Sequence, residues 1–235
     1  MFESLIQYLI TNGVPEYTLY LLLALPIVTT LVTFSRYFIG LKSLNIYTSI
    51  LMVFALMEIA HVHGAEFDVF NGLVRGLLIT TPMIVIALFL QSVSASMRMH
   101  YISKVSIITT LVSVFALFTL YIGTEINALS YILIHPMALI ILIVVLDIFV
   151  KSYIRKGPIK SVKLILNTIG LAFVISILME QAFMQKLLFA HPEITLYSLV
   201  IDVLLGRWTG LRLSEYLRFK DINIKSDDDT QHHSK

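Results

Sequence analysis

Seven unbroken apolar runs dominate the chain, at about residues 17–34, 44–60, 73–93, 105–122, 131–150, 162–183 and 194–213. Each is close to the roughly 20 residues that a helix needs to cross a bilayer core. No water is available there to satisfy backbone N–H and C=O groups, so a crossing segment must close its own hydrogen bonds as a helix or join a closed barrel. Barrel strands would appear as alternating segments of about 10 residues. These runs are continuous and about twice that length, which predicts an all-α integral membrane protein built as a bundle of seven transmembrane helices. Composition agrees, because 57% of the 235 residues are hydrophobic and 14% charged, against roughly 45–50% apolar usage in soluble domains. The second run, which carries Glu58, and the seventh, which carries Asp202 and Arg207, depart furthest from a plain crossing.

The ends of the runs divide the chain. In residues 1–15, Phe2, Leu5, Ile6 and Leu9 recur at helical spacing beside Glu3 and Gln7, the pattern of an interfacial amphipathic segment. It has neither a basic start nor a small-residue cleavage site, so a removable signal peptide is not expected. Asn12-Gly13-Val14-Pro15 breaks that helix before the seven-helix domain, residues 16–220. Residues 221–235, with Asp227-Asp228-Asp229 and no apolar periodicity, read as a disordered tail. Basic residues alternate between connections. Arg36 and Lys42 follow the first run, Arg98 and Lys104 the third, Lys151, Arg155, Lys156 and Lys160 the fifth, and Arg207, Arg212, Arg218 and Lys220 the seventh, whereas the other connections hold only Arg75 and Lys186. Positive residues accumulate inside, so the N-terminus is expected outside and the C-terminus in the cytoplasm. A net charge of +2 is too small to suggest a nucleic-acid partner. The absence of cysteine removes disulfides, thiolate metal ligands and cysteine nucleophiles.

Several polar residues stand inside or beside the runs. Glu58 and His61 are three apart at the outer end of the second helix, with His63 next to them, and Glu-x-x-His is a spacing used by carboxylate metal sites in helix bundles. The plainer reading is a helix end wetted at the interface, since a metal would need further ligands. Glu125, His135, Glu180 and His191 lie on the same side and would supply them, or would line a polar vestibule. Asp202 lies about 12 Å into the seventh helix, where a carboxylate is costly enough to be paired, protonated or functional. Arg207 is about 140° around the helix from it, so an interhelical hydrogen bond to Asn167 is the structural expectation and a proton or ligand site the alternative. Asp147 is placed to pair with Lys151 at i+4, and His135-Pro136 marks a kink.

The last run ends in LGRWTGLRLSEYLRF. Gly206 and Gly210, four apart, leave one helix face open to a close neighbour. Trp208, the single tryptophan, and the stems of Arg207 and Arg212 suit the headgroup level. Beyond Gly210, Leu211, Leu213, Tyr216, Leu217 and Phe219 alternate with Arg212, Ser214, Glu215, Arg218 and Lys220, which predicts an emerging amphipathic segment. Arg207, Trp208, Arg212 and Arg218 are therefore candidates for docking a cytoplasmic partner or anionic lipid.

Pro26-Ile27-Val28, Phe34-Ser35-Arg36, Ile39-Gly40-Leu41 and above all Leu205-Gly206-Arg207-Trp208-Thr209-Gly210-Leu211-Arg212-Leu213 with Glu215-Tyr216-Leu217-Arg218-Phe219 carry a resemblance. The sequence resembles the bacterial seven-helix membrane domain that is usually fused to an inactive transglutaminase-like domain and encoded near ATP-grasp peptide ligases. It departs in having no such domain before the first helix and in reading Leu146-Asp147-Ile148-Phe149 where a Glu-Arg pair is expected. The resemblance implies a bacterial inner-membrane module, a platform or signalling component for a cytoplasmic ATP-grasp-type peptide-modifying system, with no catalytic residues and no cofactor. A transporter or small-ligand receptor using Glu58, His61, His63, Glu180 and Asp202 is the alternative, although no internal repeat is visible. An intramembrane enzyme using Glu58, His61 and a further ligand ranks last.

Overall fold

The first break falls where the sequence places it. Helix α1 (Phe2–Thr11) ends because Gly13 adopts a left-handed conformation, φ +89°. This turns the N–H groups of Gly13 and Val14 back onto the carbonyls of Ile10 and Leu9, at 3.0 and 3.1 Å. Pro15 precedes α2 (Glu16–Phe34), which runs into a single π-helical turn, Ser35–Ile39, closed by Gly40 at φ 81°. There follow α3 (Ile46–His61), α4 (Val69–Ala95), α5 (Tyr101–Glu125), α6 (Pro136–Lys156), α7 (Pro158–Glu180), α8 (Ala182–Ala190) and α9 (Ile194–Gly206). Between α6 and α7, Gly157 turns the chain at φ 84° and Pro158 occupies the first helical position, where its missing N–H costs nothing. The computed structural model describes residues 2–61, 69–95, 101–125 and 136–207. Among these every regular element is a helix.

Helix α3 is the centre of the bundle and packs against α2, α4, α6 and α7. Its Met52, Val53, Ala55, Leu56, Met57 and Ile59 have no exposed surface. Helix α5 closes against α4 and α6, α9 lies along α2, and α8 touches α1, α2 and α7. The surrounding helices turn large apolar side chains outward, among them Leu22, Phe89, Leu117, Leu166, Val174 and Leu204. Water would not tolerate so continuous an apolar exterior, whereas acyl chains do. Three helical stretches are long and apolar enough to cross a bilayer, Glu16–Ile39, Met137–Lys156 and Pro158–Glu180, and the bent pair α8 and α9 would make a fourth. Ile46–His61, Gly76–Phe89 and Ile102–Phe118 are shorter apolar helices.

The sixth and seventh runs need correction. The sequence suggests a helix to about residue 183, a connection, and a helix from 194. Instead α7 stops at Glu180, because Gln181 takes an extended conformation (ψ 131°). The segment read as a connection forms α8, and α8 meets α9 at a bend of 100°. His191-Pro192 produces the bend, since the residue before a proline is pushed out of helical geometry and proline itself offers no donor. Helix α6 is described from Pro136 onward, so the expected kink at His135-Pro136 falls at the edge of the described residues. The segment 208–220 and the tail 221–235 lie outside them.

One close helix approach is visible. A Cβ built on Gly76 of α4 would lie 2.9 Å from Cδ2 of Leu56 and 3.7 Å from Ile59 on α3. At Gly206 nothing described lies within 4 Å of the corresponding position. Its expected companion Gly210 is outside the described residues.

Candidate functional site

Three helix ends converge on a cluster of polar and aromatic side chains. The first turns of α2 supply Tyr17 and Tyr20, the last turn of α3 supplies Glu58 and His61, and the C-terminal end of α7 supplies Glu180. The spacing of each pair, three residues, puts both members on one helix face. The imidazole of His61 lies flat on the phenol ring of Tyr17, with centroids 3.4 Å apart and 5° between the planes. Tyr20 is 2% exposed, and its hydroxyl donates to the carbonyl of Met179. That carbonyl belongs to the last turn of α7, where no intrahelical donor remains, so Tyr20 satisfies an orphan acceptor and ties α2 to α7. Its ring also packs at a tilt against Tyr17 and Phe189, at 6.3 and 6.5 Å.

Glu180 is 5% exposed. Nε2 of Gln185, on α8, lies 3.5 Å from its Oε2, while its Oε1 and the hydroxyl of Tyr17 are buried without a hydrogen-bond partner. Glu58 and Glu180 are close enough to act electrostatically on each other and on Tyr17. Two carboxylates, the Tyr17 phenol and the His61 imidazole thus share one electrostatic neighbourhood, with Tyr20 engaged by the Met179 carbonyl beside them. Among the described residues no three His, Cys, Asp or Glu side chains come together as metal ligands. His63, His135 and the side chain of Glu125 lie outside the described residues, and His191 is exposed at the end of α8.

Asp202 occupies a different place. It lines a groove of about 520 Å³ between α2 and α9, beside Pro26, Thr29, Thr195 and Ser198. Its Oδ1 is buried and has no partner. The bond to Asn167 expected from the sequence is not made. Asn167 points toward the chain between α2 and α3, where its Nδ2 donates to the carbonyl of Lys42 at 3.0 Å, whereas α9 packs on α2. The pairing of Asp147 with Lys151 is present, at 2.5 Å. Arg207 is exposed just past α9, and Trp208, Arg212 and Arg218 lie outside the described residues.

Sequence reasoning found Glu58, His61 and Glu180 but not the two tyrosines that organise them. Their signal was available in principle, as two aromatic residues with polar tips three apart at the first turn of a crossing helix. No curated protein and no solved structure matches the chain. Residues 4–223, nearly the whole sequence, match the family of seven transmembrane helices usually fused to an inactive transglutaminase, and with the helical bundle and its apolar exterior this establishes that the chain belongs to that family.

Proposed function

We propose that the chain is a non-enzymatic bacterial inner-membrane module of seven crossings, N-terminus outside and C-terminus in the cytoplasm, that serves as a platform for a cytoplasmic peptide-modifying system of the ATP-grasp ligase type. Membership in a family whose usual fusion partner is an inactive transglutaminase supports a role apart from catalysis. The observation that carries the platform reading is the charge asymmetry of the bundle. Arg36, Lys42, Lys104, Arg155, Lys156 and Lys160 stand at the end where α2 and α6 finish and α3, α5 and α7 begin, and none of them forms an ion pair among the described residues. At the opposite end Glu58 and Glu180 are drawn into the tyrosine cluster. Cations gathered at a cytoplasmic surface attract acidic protein surfaces and anionic lipid alike.

A photo-crosslinking residue at Ile159, which is 85% exposed at the basic end, should capture the ligase in cells, less so at high salt. The same residue at His191 should not. Capture from His191, or from neither position, would count against the platform.

A second reading, as a small-ligand receptor or transporter, is favoured by the unpartnered buried oxygen of Asp202 in the α2/α9 groove. Asp202→Leu separates the two. The platform reading expects unchanged ligase capture and a melting temperature that is unchanged or raised, since an unsatisfied buried oxygen costs about 1–3 kcal/mol. The receptor reading expects a folded protein that has lost its physiological output.

A further inference from the structure

The chain between α2 and α3 lines a half-open pocket remote from both sites above. The π-helical turn Ser35–Ile39 widens the end of α2, and the N–H groups of Gly40 and Leu41 both close onto the carbonyl of Ser35, at 3.1 and 3.3 Å. The left-handed Gly40 then sends the backbone across α7, which holds it at two points. Asn167 donates to the carbonyl of Lys42 at 3.0 Å, and the N–H of Leu44 donates to Oγ1 of Thr168 at 3.0 Å. Ser43 is fixed between these tied neighbours.

The pocket measures about 430 Å³, and Arg36, Lys42 and Lys156 are among its walls. Among the described residues no acidic side chain lines it, and none of the three cations is in an ion pair. Ser43 also lines it, is 4% exposed, and has a hydroxyl with no hydrogen-bond partner. Its oxygen is shut off from the pocket surface, so Ser43 contributes wall and the anion-attracting groups are the three cations. Leu41 and Leu164 add apolar wall beside the charges. The volume falls within the roughly 300–1,000 Å³ of small-molecule pockets, larger than a bare phosphate requires.

We propose that this pocket binds the phosphate of an anionic phospholipid headgroup, with Arg36, Lys42 and Lys156 neutralising it and the leucines meeting the apolar start of the lipid. Basic pockets between membrane helices recognise headgroups in this way. Arg36, Lys42 and Lys156 also belong to the basic end on which the platform reading draws, but the lipid site rests on the pocket they line and stands whether or not a ligase docks there.

The test is thermal melting of the full chain in a neutral detergent, titrated with phosphatidylglycerol, phosphatidylcholine or inorganic phosphate. Phosphatidylglycerol should raise the melting temperature and the other two should not. The double variant Lys42→Gln with Lys156→Gln should bind roughly 25-fold more weakly, about fivefold for each basic residue removed. Lys42 and Lys156 are both exposed, so the double variant should melt with the parent in the absence of lipid and its defect cannot be ascribed to misfolding. Lys163→Gln with Lys186→Gln changes two exposed lysines, on α7 and α8, that do not line the pocket, and should retain most of the affinity. An equal loss in that control, or no preference for phosphatidylglycerol over phosphatidylcholine, would overturn the proposal. A shift of the same size with inorganic phosphate would overturn the lipid assignment in favour of a soluble phosphate compound.

Discussion

Tyr20→Ala is expected to destabilise the detergent-solubilised protein by about 3–5 kcal/mol, the usual cost of deleting a fully buried aromatic ring. The ring is 2% exposed and sits in the main core with Ala24, Met179 and Leu188. Its removal opens a cavity where α2, α7 and α8 meet. In a membrane the lost packing contacts dominate, because lipid is as apolar as the core and adds little hydrophobic drive between helices. The alanine also leaves the Met179 carbonyl without its donor. Tyr20→Phe isolates that second term and should cost about 1–3 kcal/mol, the penalty of one unsatisfied buried acceptor. Denaturation curves of the two variants beside the parent would show a graded series. If Tyr20→Ala melted with the parent, the anchoring role of Tyr20 would be wrong, and with it the rigid placement of Glu180 next to Met179.

Gly76→Leu should be the second large effect. The Leu56 tip stands 2.9 Å from the position a Cβ would take, closer than side-chain atoms normally approach. Alanine displaces only this flexible tip and should be tolerated. Leucine must push α3 and α4 apart, at a cost of about 1–3 kcal/mol or more. Gly206→Leu serves as the contrast. Nothing described lies near its Cβ position, so it should stay within about 0.5 kcal/mol of the parent. The reverse ranking in a melting series would place the close helix approach at Gly206 and not at Gly76.

The difference between these glycines shows what the sequence could and could not reveal. Membrane class, the helical state of the runs where they are described, the break at Gly13 and the Asp147–Lys151 pair follow from local chemistry: run length, backbone conformation and i+4 spacing. Gly206 and Gly210 were chosen for the same kind of reason, a small-residue spacing. Close approach, however, is decided by which helix lies opposite, and Gly76 gains its role only because α4 packs on the central α3. Asn167 makes the same point. Its polarity announced a hydrogen bond, but the partner, the Lys42 carbonyl, is 125 residues away in sequence and is set by how α7 crosses the α2–α3 connection. At the candidate site, Glu58, His61 and Glu180 were legible as polar residues at helix ends. Their convergence with Tyr17 and Tyr20 depends on antiparallel packing of α2 against α3 and α7, which no single segment encodes. The bend at His191-Pro192 was legible as a break but not as the 100° turn that folds α8 away from α9.

The central claim is a module with seven crossings and opposite chemistry at its two ends. The chain has no cysteine, so single cysteines can be placed at Asn12, Lys42, His61, Lys104, Met137, Ile159, His191 and Arg207 and treated with a membrane-impermeant thiol reagent on intact cells and on inverted vesicles. Asn12, His61, Met137 and His191 should react from outside and Lys42, Lys104, Ile159 and Arg207 from the cytoplasm, alternating at every step. Labelling of His191 and Arg207 from the same side would make α8 and α9 a re-entrant pair, and the seven-crossing account would be contradicted.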